Sequence, residues 1–483
     1  MKFIPLHYGN KLIGINSCGF VGVITLWSRP KKILDVFREQ GIDLNPATSP
    51  IVAFGTLYGN GLPHLIRNLL YNPQITHLVV CGRNRSSSFR ELTNFFSEGV
   101  EKVEFLGIRA NKIKGTEGIL DDLLRPELFK FPPRMEAVGP LTTPESLSGL
   151  KRYFQSVRRD PARRFTESDR VKIPPKTLPI GHFPSSVLQH TVLSETPLEG
   201  WKQLMFKLVR FGRKVELKKG VRKELQNLKV VIADPTSDPD DALVEYGFSP
   251  EEFSRYRDEI MDGELPSLLE YTYGNRLRSY FGVDTLSLAA ERLASDPESR
   301  HQFISLWDTA ADFRDRKANP CLVSLFFRIS EGRLGMTASY RTHNAIDAWL
   351  QNVHGLIRIL DFVCERSGLA KGALTVFSHS ISLDPTNEIK YRKALSVAEL
   401  RAHRLREDPH GFFRITLEEG QIVVRHLYNN VLLKEYRSKH AERIQHDLVR
   451  DEAISDLNHA LYVGRNLALA ERALKLGEQF EEA

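Results

Sequence analysis

Asn319-Pro320-Cys321-Leu322-Val323-Ser324-Leu325-Phe326-Phe327-Arg328-Ile329, turned at Ser330-Glu331-Gly332 and returned by Leu334 to Tyr340, decides the fold of the larger part of this chain. Val323, Leu325, Phe327 and Ile329 recur at every second position, the period of a strand with one buried face. The glycine-containing turn makes the two strands a hairpin. After Arg341-Thr342-His343-Asn344 the period changes. Ile346, Trp349, Val353, Leu356, Ile357, Leu360 and Val363 follow helical spacing, and Ser367-Gly368 ends the helix. A cysteine thus opens one strand, an arginine ends its partner, and Asn352 lies on the following helix.

The chain has 483 residues, which implies two or three domains. Hydrophobic residues at 41% and charged residues at 26% are ordinary for a globular protein. No apolar run approaches the ~20 residues of a membrane span. Met1-Lys2-Phe3-Ile4-Pro5 lacks the pattern of a signal peptide. The expectation is a cytoplasmic protein with no membrane partner. Cys18, Cys81, Cys321 and Cys364 form no CxxC pair, which argues against a zinc ribbon or a disulfide framework, and no metal is expected. A formal charge of +7 favours anionic partners, and phosphorylated metabolites fit as well as nucleic acid because acids and bases are intermixed.

Residues 1–130 alternate short apolar runs with helical patterns, as βα units do. Gly19 to Leu26, Ile51 to Phe54 and Thr76 to Val80 read as strands, and Leu62 to Leu70 and Phe89 to Phe96 as helices. A largely parallel α/β domain follows. Residues 131–185 are rich in proline and carry Arg158-Arg159 and Arg163-Arg164, so they read as a connector with one helix, Ser146 to Val157. Its arginines read as a solvated face. Residues 186–483 form the third part, an α+β domain. Leu198 to Phe211 reads as an amphipathic helix, Leu228 to Ala233 and Gln302 to Trp307 as strands, Thr285 to Leu293 as a helix, and Ala453 to Phe480 as a closing helical region.

Four motifs in order carry a resemblance: Tyr273-Gly274-Asn275-Arg276-Leu277-Arg278; Pro297-Glu298-Ser299-Arg300 with Ile304-Ser305-Leu306-Trp307; Pro320-Cys321; and Arg341-Thr342-His343-Asn344 with Asn352. Together they resemble the thymidylate synthase family, in its divergent archaeal-type branch, over about residues 185 to 475. Alone, Cys321 would be a buried strand residue, Arg341 a surface ion pair and Asn352 a helix-surface amide; the joint spacing overturns those readings.

The resemblance implies a one-carbon transfer to C5 of a uracil nucleotide. A uracil C5 becomes nucleophilic only after addition at C6, and a thiolate adds and leaves well. The implied nucleophile is Cys321, with Tyr273 in a proton-transfer network. Arg341, Thr342 and Arg300 would bind the phosphate, Arg300 across a homodimer interface, and Arg341 would help keep the thiol ionised. Asn352 would read the uracil edge with its donor and acceptor, with Asn344 nearby in the substrate site. Trp307 is placed on the pterin side. The implied co-substrate is 5,10-methylenetetrahydrofolate or a methylene-tetrahydropterin analogue, so the expected partners are a pyrimidine nucleotide, a reduced pterin and a second copy of the chain.

The pattern departs at the sugar end, where Ser382 and Asp384 replace a His and a Tyr, and at His301 and Leu322. Lys218 or Arg222 are candidates for the upstream phosphate group, and Glu252, Glu259 or Glu264 for the catalytic glutamate. A pyrimidine nucleotide 5-hydroxymethyltransferase and a nucleotide-binding protein without turnover remain alternatives, and an RNA-binding regulator is a third class. Residues Asn72 to Gly82, with Glu98-Gly99-Val100, are similar to the cobamide-binding component of tetrahydromethanopterin S-methyltransferase, although Arg83-Asn84 stands where that family continues with a Gly-His pair. The Gly82 to Ser88 loop, ahead of a helix, would suit an anion such as a pterin or nucleotide, or would cap a scaffold.

Overall fold

A computed structural model describes residues 1–177, 179–314, 319–399 and 407–482. The chain forms two compact units, Met1–Glu399 and Leu400–Ala483. The architecture mixes helices with sheets throughout, an α/β class.

In the first unit a five-stranded sheet is ordered Ile13–Gly14, Ile51–Gly55, Val21–Ile24, His77–Cys81 and Arg134–Gly139, and all but the first strand run parallel. Every residue of His77–Cys81 is buried, as expected of a parallel strand covered on both faces. Ile66, Leu69, Leu92 and Phe95 from helices Leu62–Tyr71 and Ser88–Ser97 cover one face. Ile33 and Phe37 from Pro30–Glu39 cover the other, with Leu150 from Pro144–Ser156.

The expected connector therefore contributes to this fold: Arg134–Gly139 is its edge strand, and Pro144–Ser156 packs on it. The proline count hid both elements, because most of those prolines lie in the turns around them. Further along the connector, Arg170 donates to the Tyr71 carbonyl at 2.7 Å and to Asn72 Oδ1 at 3.0 Å. Arg159 and Arg163 lie over the rings of Phe20 and Phe131. These arginines are spent on their own domain.

The larger sheet of this unit runs Arg213–Leu217, Gly220–Ile232, Ala370–Leu383, Arg333–Tyr340, Leu322–Ser330, Phe303–Ser305, with Thr191–Ser194 beside Gly220–Ile232 and His343–Asn344 beside Ala370–Leu383. The quoted hairpin forms, turning at Glu331 (φ 52°) and Gly332 (φ 73°). Left-handed backbone at both turn residues matches the right-handed twist of the strands. Helix Trp349–Ser367 buries Trp349, Val353, Leu356 and Leu360 and ends on Gly368 at φ 71°. Trp201, on helix Pro197–Phe211, is fully buried and donates from Nε1 to the Ala345 carbonyl at 3.0 Å, which fixes the approach to that helix.

A bulge departs from the simple alternation. Leu322 pairs with Tyr340 and Ser324 with Ser339, so Val323 is the extra residue. Leu322, Leu325 and Phe327 are then fully buried, and Val323 is half-buried. The phase shift puts Leu322 in the core and leaves Cys321, one residue earlier, half-buried.

The sequence reading carries the catalytic domain through to 483, whereas 400–483 stands as its own unit. It is an antiparallel sheet, Phe412–Glu418, Gln421–Tyr428 and Val431–Ser438, with helices Ala441–Arg450 and Leu457–Leu476. Ile415, Ile422, Val424, Ile444, Leu448 and Leu467 form its core. Among the described residues, no helix is long and apolar enough to cross a membrane.

Candidate active site

The hairpin register puts Arg341 beside Cys321: the Arg341 amide donates to the Cys321 carbonyl at 2.9 Å. Cys321 lines a cleft of about 900 Å3 together with Tyr273, Thr342, Asn344 and Asn352. Five of the residues expected from sequence are thus brought to one place. The strap 262–271 forms another wall, with Leu268 almost wholly exposed.

Tyr273 begins the short helix Tyr273–Arg278, capped by Thr272, whose hydroxyl accepts from the Asn275 amide at 3.0 Å. Gly274 must be glycine here, since a Cβ would fall 2.1 Å from the Asp262 carbonyl oxygen. The Leu322 amide donates to Tyr273 Oη at 3.4 Å, so the phenol is held at the mouth of the nucleophile strand. Burial pushes its pKa up, and it remains a neutral hydroxyl. Tyr340, fully buried, has no hydrogen-bond partner for its hydroxyl among the described residues, and its ring stacks on His343 at 4.0 Å.

Beneath Tyr273, Arg276 and Asp312 form a buried bidentate pair at 2.7 and 3.2 Å, and Asn319 donates to the Asp312 carbonyl at 2.8 Å. Removing one partner strands a buried charge. Asp312→Ala should lower unfolding free energy by about 3 kcal/mol in urea titration, and a change under about 1 kcal/mol would contradict this account.

Burial pushes the Cys321 thiol up, and the Arg341 guanidinium pulls it only part of the way back. The thiol is therefore protonated near neutrality in the free chain; the arginine assists ionisation without securing it. Thiolate reactivity should climb about tenfold per pH unit from 7 to 9. Arg341→Gln should displace that profile to higher pH. Iodoacetamide labelling of the Cys321 peptide, followed by mass spectrometry, checks both; an unmoved profile would remove Arg341 as the thiol's electrostatic partner.

Arg341 is exposed, with Nε donating to the Pro320 carbonyl at 3.0 Å and a terminal nitrogen to the Asn319 carbonyl at 2.8 Å. Its remaining N–H groups are available to an anion. Trp307 lies under it, 5.8 Å from guanidinium carbon to ring centre, not in the cleft lining.

Asn352 is buried and held from both ends. Tyr256 Oη donates to its Oδ1 at 2.6 Å, and its Nδ2 meets His343 Nε2 at 2.9 Å. Burial drives the His343 pKa down to about 3, so the ring is neutral, and its Nδ1 meets Ser378 Oγ at 3.2 Å. A Cβ at Gly355 would fall 2.7 Å from Tyr256 Cε1, so that glycine lets the phenol lie against the helix and reach Asn352. One N–H and one lone pair of Asn352 are left for a ligand. His343 was visible within the Arg341 motif, yet only the fold reveals it as a support; Tyr256, far off in sequence, gave no local signal.

Several expected residues are placed elsewhere. Arg300 is exposed and does not line the cleft, nor does Ser382, whose carbonyl accepts from the Ala345 amide at 2.9 Å. Asp384 accepts from Thr386 and pairs with Arg222 at 3.0 Å; both contacts hold its carboxyl below the usual range. Arg222 is thereby committed to Asp384. Asn344 spends its amide on the turn at Asp347. Of the glutamate candidates, Glu259 and Glu264 line the cleft and Glu252 does not; Glu270 also lines it. Among the described residues, no lysine or arginine is in the lining. In the N-terminal sheet, the Gly82 to Ser88 loop is engaged internally: the Arg83 amide donates to Ser28 Oγ, and Trp27 Nε1 to Ser86 Oγ.

Among curated proteins, the chain is 33% identical over 213 residues to the "Putative thymidylate synthase" of Methanothermobacter thermautotrophicus, spanning 94% of that relative and 41% of this chain. The chain belongs to this thymidylate synthase family. Proteins of the same name from Methanothermobacter marburgensis and Methanopyrus kandleri are each 32% identical, over 93% and 89% of their lengths and 41% and 39% of this chain. A family model described as PterinBD-DUF4346, a pterin-binding domain, matches residues 407–483, inside the second compact unit. The thymidylate synthase relatives, covering about two-fifths of the chain, leave the rest as additions to the family's own length.

Proposed function

We propose that the chain transfers a one-carbon unit from a methylene-pterin to C5 of a uracil nucleotide through a Cys321 adduct at C6. The observation that carries this reading is the convergence of Cys321, Tyr273 and a pre-oriented Asn352 on one cleft. The thiolate adds to C6 and makes C5 an enolate carbon, which attacks the pterin's methylene. A base takes the C5 proton, and the pterin nitrogen leaves, giving an exocyclic methylene. Hydride from the reduced pterin completes a methyl group as the thiolate is expelled; water in its place gives hydroxymethyl. Glu259, Glu264 and Glu270 are the carboxylates positioned for the base or a water relay.

In this reading the co-substrate is methylenetetrahydrofolate or a related tetrahydropterin. Phosphate recognition rests on the free N–H groups of Arg341, with Thr342 beside it and Arg300 reaching a cleft across a homodimer interface. The engagement of Asp384 by Arg222 leaves the sugar end unlike the family pattern, so dUMP and UMP are both to be offered.

The test is tritium release from 5-tritiated dUMP, UMP, dCMP and CMP, with and without methylenetetrahydrofolate. Release from a uracil nucleotide is expected, and product chromatography then separates methyl from hydroxymethyl. No release from any of the four, including in the presence of methylene-tetrahydromethanopterin, would overturn the reading.

A further inference from the structure

We infer that the second compact unit carries a reduced-pterin site of its own, in a cavity of about 610 Å3 between the Asn429-Asn430 turn and the start of helix Leu457–Leu476. The ligand class rests on the functional reading above and on the family match over 407–483; the location rests on geometry within this unit.

The cavity is built on a buried charge. Asp408, only 9% exposed, accepts from Ser455 Oγ at 2.6 Å, from the amides of Ser455, Asp456 and His410 at 3.0 to 3.1 Å, and pairs with His459 Nδ1 at 2.9 Å. Burial pushes this carboxyl up, but the hydrogen bonds outweigh burial and hold it well below the usual range. An ionised Asp408 fixes the His459 tautomer, with the proton on Nδ1. Nε2 is the atom left to a ligand, and among the described residues it has no partner.

Asp456 caps the helix with Oδ1, which accepts from the Asn458 and His459 amides at 2.8 and 3.0 Å; its Oδ2 is not used in the cap. The cavity therefore offers two acceptors, His459 Nε2 and Asp456 Oδ2. Asn429 and Asn430, at φ 46° and 62°, add amides from a left-handed turn. Phe412, Tyr428 and Tyr462 are 42%, 49% and 42% exposed, and all three line the cavity. Such half-open rings are surfaces for a flat partner.

A reduced pterin matches this inventory. Its ring is flat on one side, and its aminopyrimidinone edge carries adjacent N–H donors beside a carbonyl. A nucleotide matches poorly: among the described residues the lining holds no lysine or arginine, while Glu407, Asp408 and Asp456 would repel a phosphate.

The test uses the full chain and 6-methyltetrahydropterin, titrated anaerobically by calorimetry, with dUMP titrated separately. Asp456→Asn preserves the helix cap, because Asn and Asp cap equally well, while it removes the charged acceptor. Tyr428→Ala removes an exposed ring that the core does not need. Each should weaken tetrahydropterin binding by about tenfold, as for one lost charged hydrogen bond or one stacking contact, with dUMP binding within about twofold of the parent. Unchanged pterin affinity in both variants, or no tetrahydropterin binding by the parent chain, would overturn the site. The two failures separate: weakening only by cleft variants such as Asn352→Asp sinks this site and leaves the transfer reading standing. Loss of tritium release with intact, Tyr428-dependent pterin binding does the reverse.

Discussion

Cys321→Ala is expected to abolish tritium release from 5-tritiated uracil nucleotide, with a loss of at least ~10^4-fold, because no other nucleophile shares the wall of the cleft where it stands. Cys18 is exposed, and Cys81 and Cys364 are buried in the cores of other elements. Burial of the latter two pushes their thiols up to about 12 and about 11, which leaves them inert. Nucleotide affinity should stay within about threefold, since the side chain removed is small and Asn352 and Arg341 keep their own supports. The parent's rate should rise with pH, because the Cys321 thiol is raised by burial and only its ionised fraction attacks. Residual release above background in the alanine variant would mean that C5 exchange does not proceed through Cys321.

The same residue shows how far the sequence alone could be read. The hairpin and the helix after it follow from periodicity, and the order Cys321, Arg341, Asn352 follows from spacing. The bulge at Val323 does not, because an alternating run fits either phase until the partner strand sets the register. The consequence is chemical: the bulge determines that Leu322 is core and Cys321 faces the cleft. The N-terminal sheet was legible where both faces are apolar, as in His77–Cys81, and illegible at Arg134–Gly139, where Glu136 and Arg134 mark a solvent-exposed edge. The unit from 400 onwards was folded into the catalytic domain in the sequence reading, since Ala453 to Phe480 carries a helical period without saying what it packs against.

Phosphate and sugar recognition show a different limit. Arg222 was a fair candidate for the phosphate, yet the structure pairs it with Asp384, itself one of the two departures from the family pattern. Two anomalies thus account for each other: an acid that would repel a phosphate sits against a base that would have bound it. The pairing is half-exposed and worth at most about 1 kcal/mol to stability. Its effect lies in removing both groups from the cleft, which leaves Arg341 as the nearest guanidinium to Cys321.

Base selection is where the support of Asn352 should be measurable. A uracil edge presents N3–H and a carbonyl, so its reader must offer Oδ1 to the first and Nδ2 to the second; cytosine reverses the demand. The amide of Asn352 could turn over but for its neighbours. His343 and Ser378 could adapt to either orientation, because a neutral imidazole can shift its proton and a hydroxyl can donate or accept. Tyr256 is less free. Its phenol is buried and kept protonated, and Asn352 Oδ1 is the acceptor it has at 2.6 Å. Turning the amide would leave that O–H without a partner, at a cost of about 1–3 kcal/mol. Tyr256→Phe should therefore narrow the preference for dUMP over dCMP in binding by about tenfold, with the adduct chemistry on uracil retained. Asn352→Asp should go further and favour the cytosine nucleotide, because a carboxylate accepts the cytosine amino group but repels a uracil carbonyl. Competition binding of the two nucleotides reads both changes on one scale. An unaltered ratio in Tyr256→Phe would show that the tyrosine is packing alone, and an unaltered ratio in Asn352→Asp would remove Asn352 as the base reader.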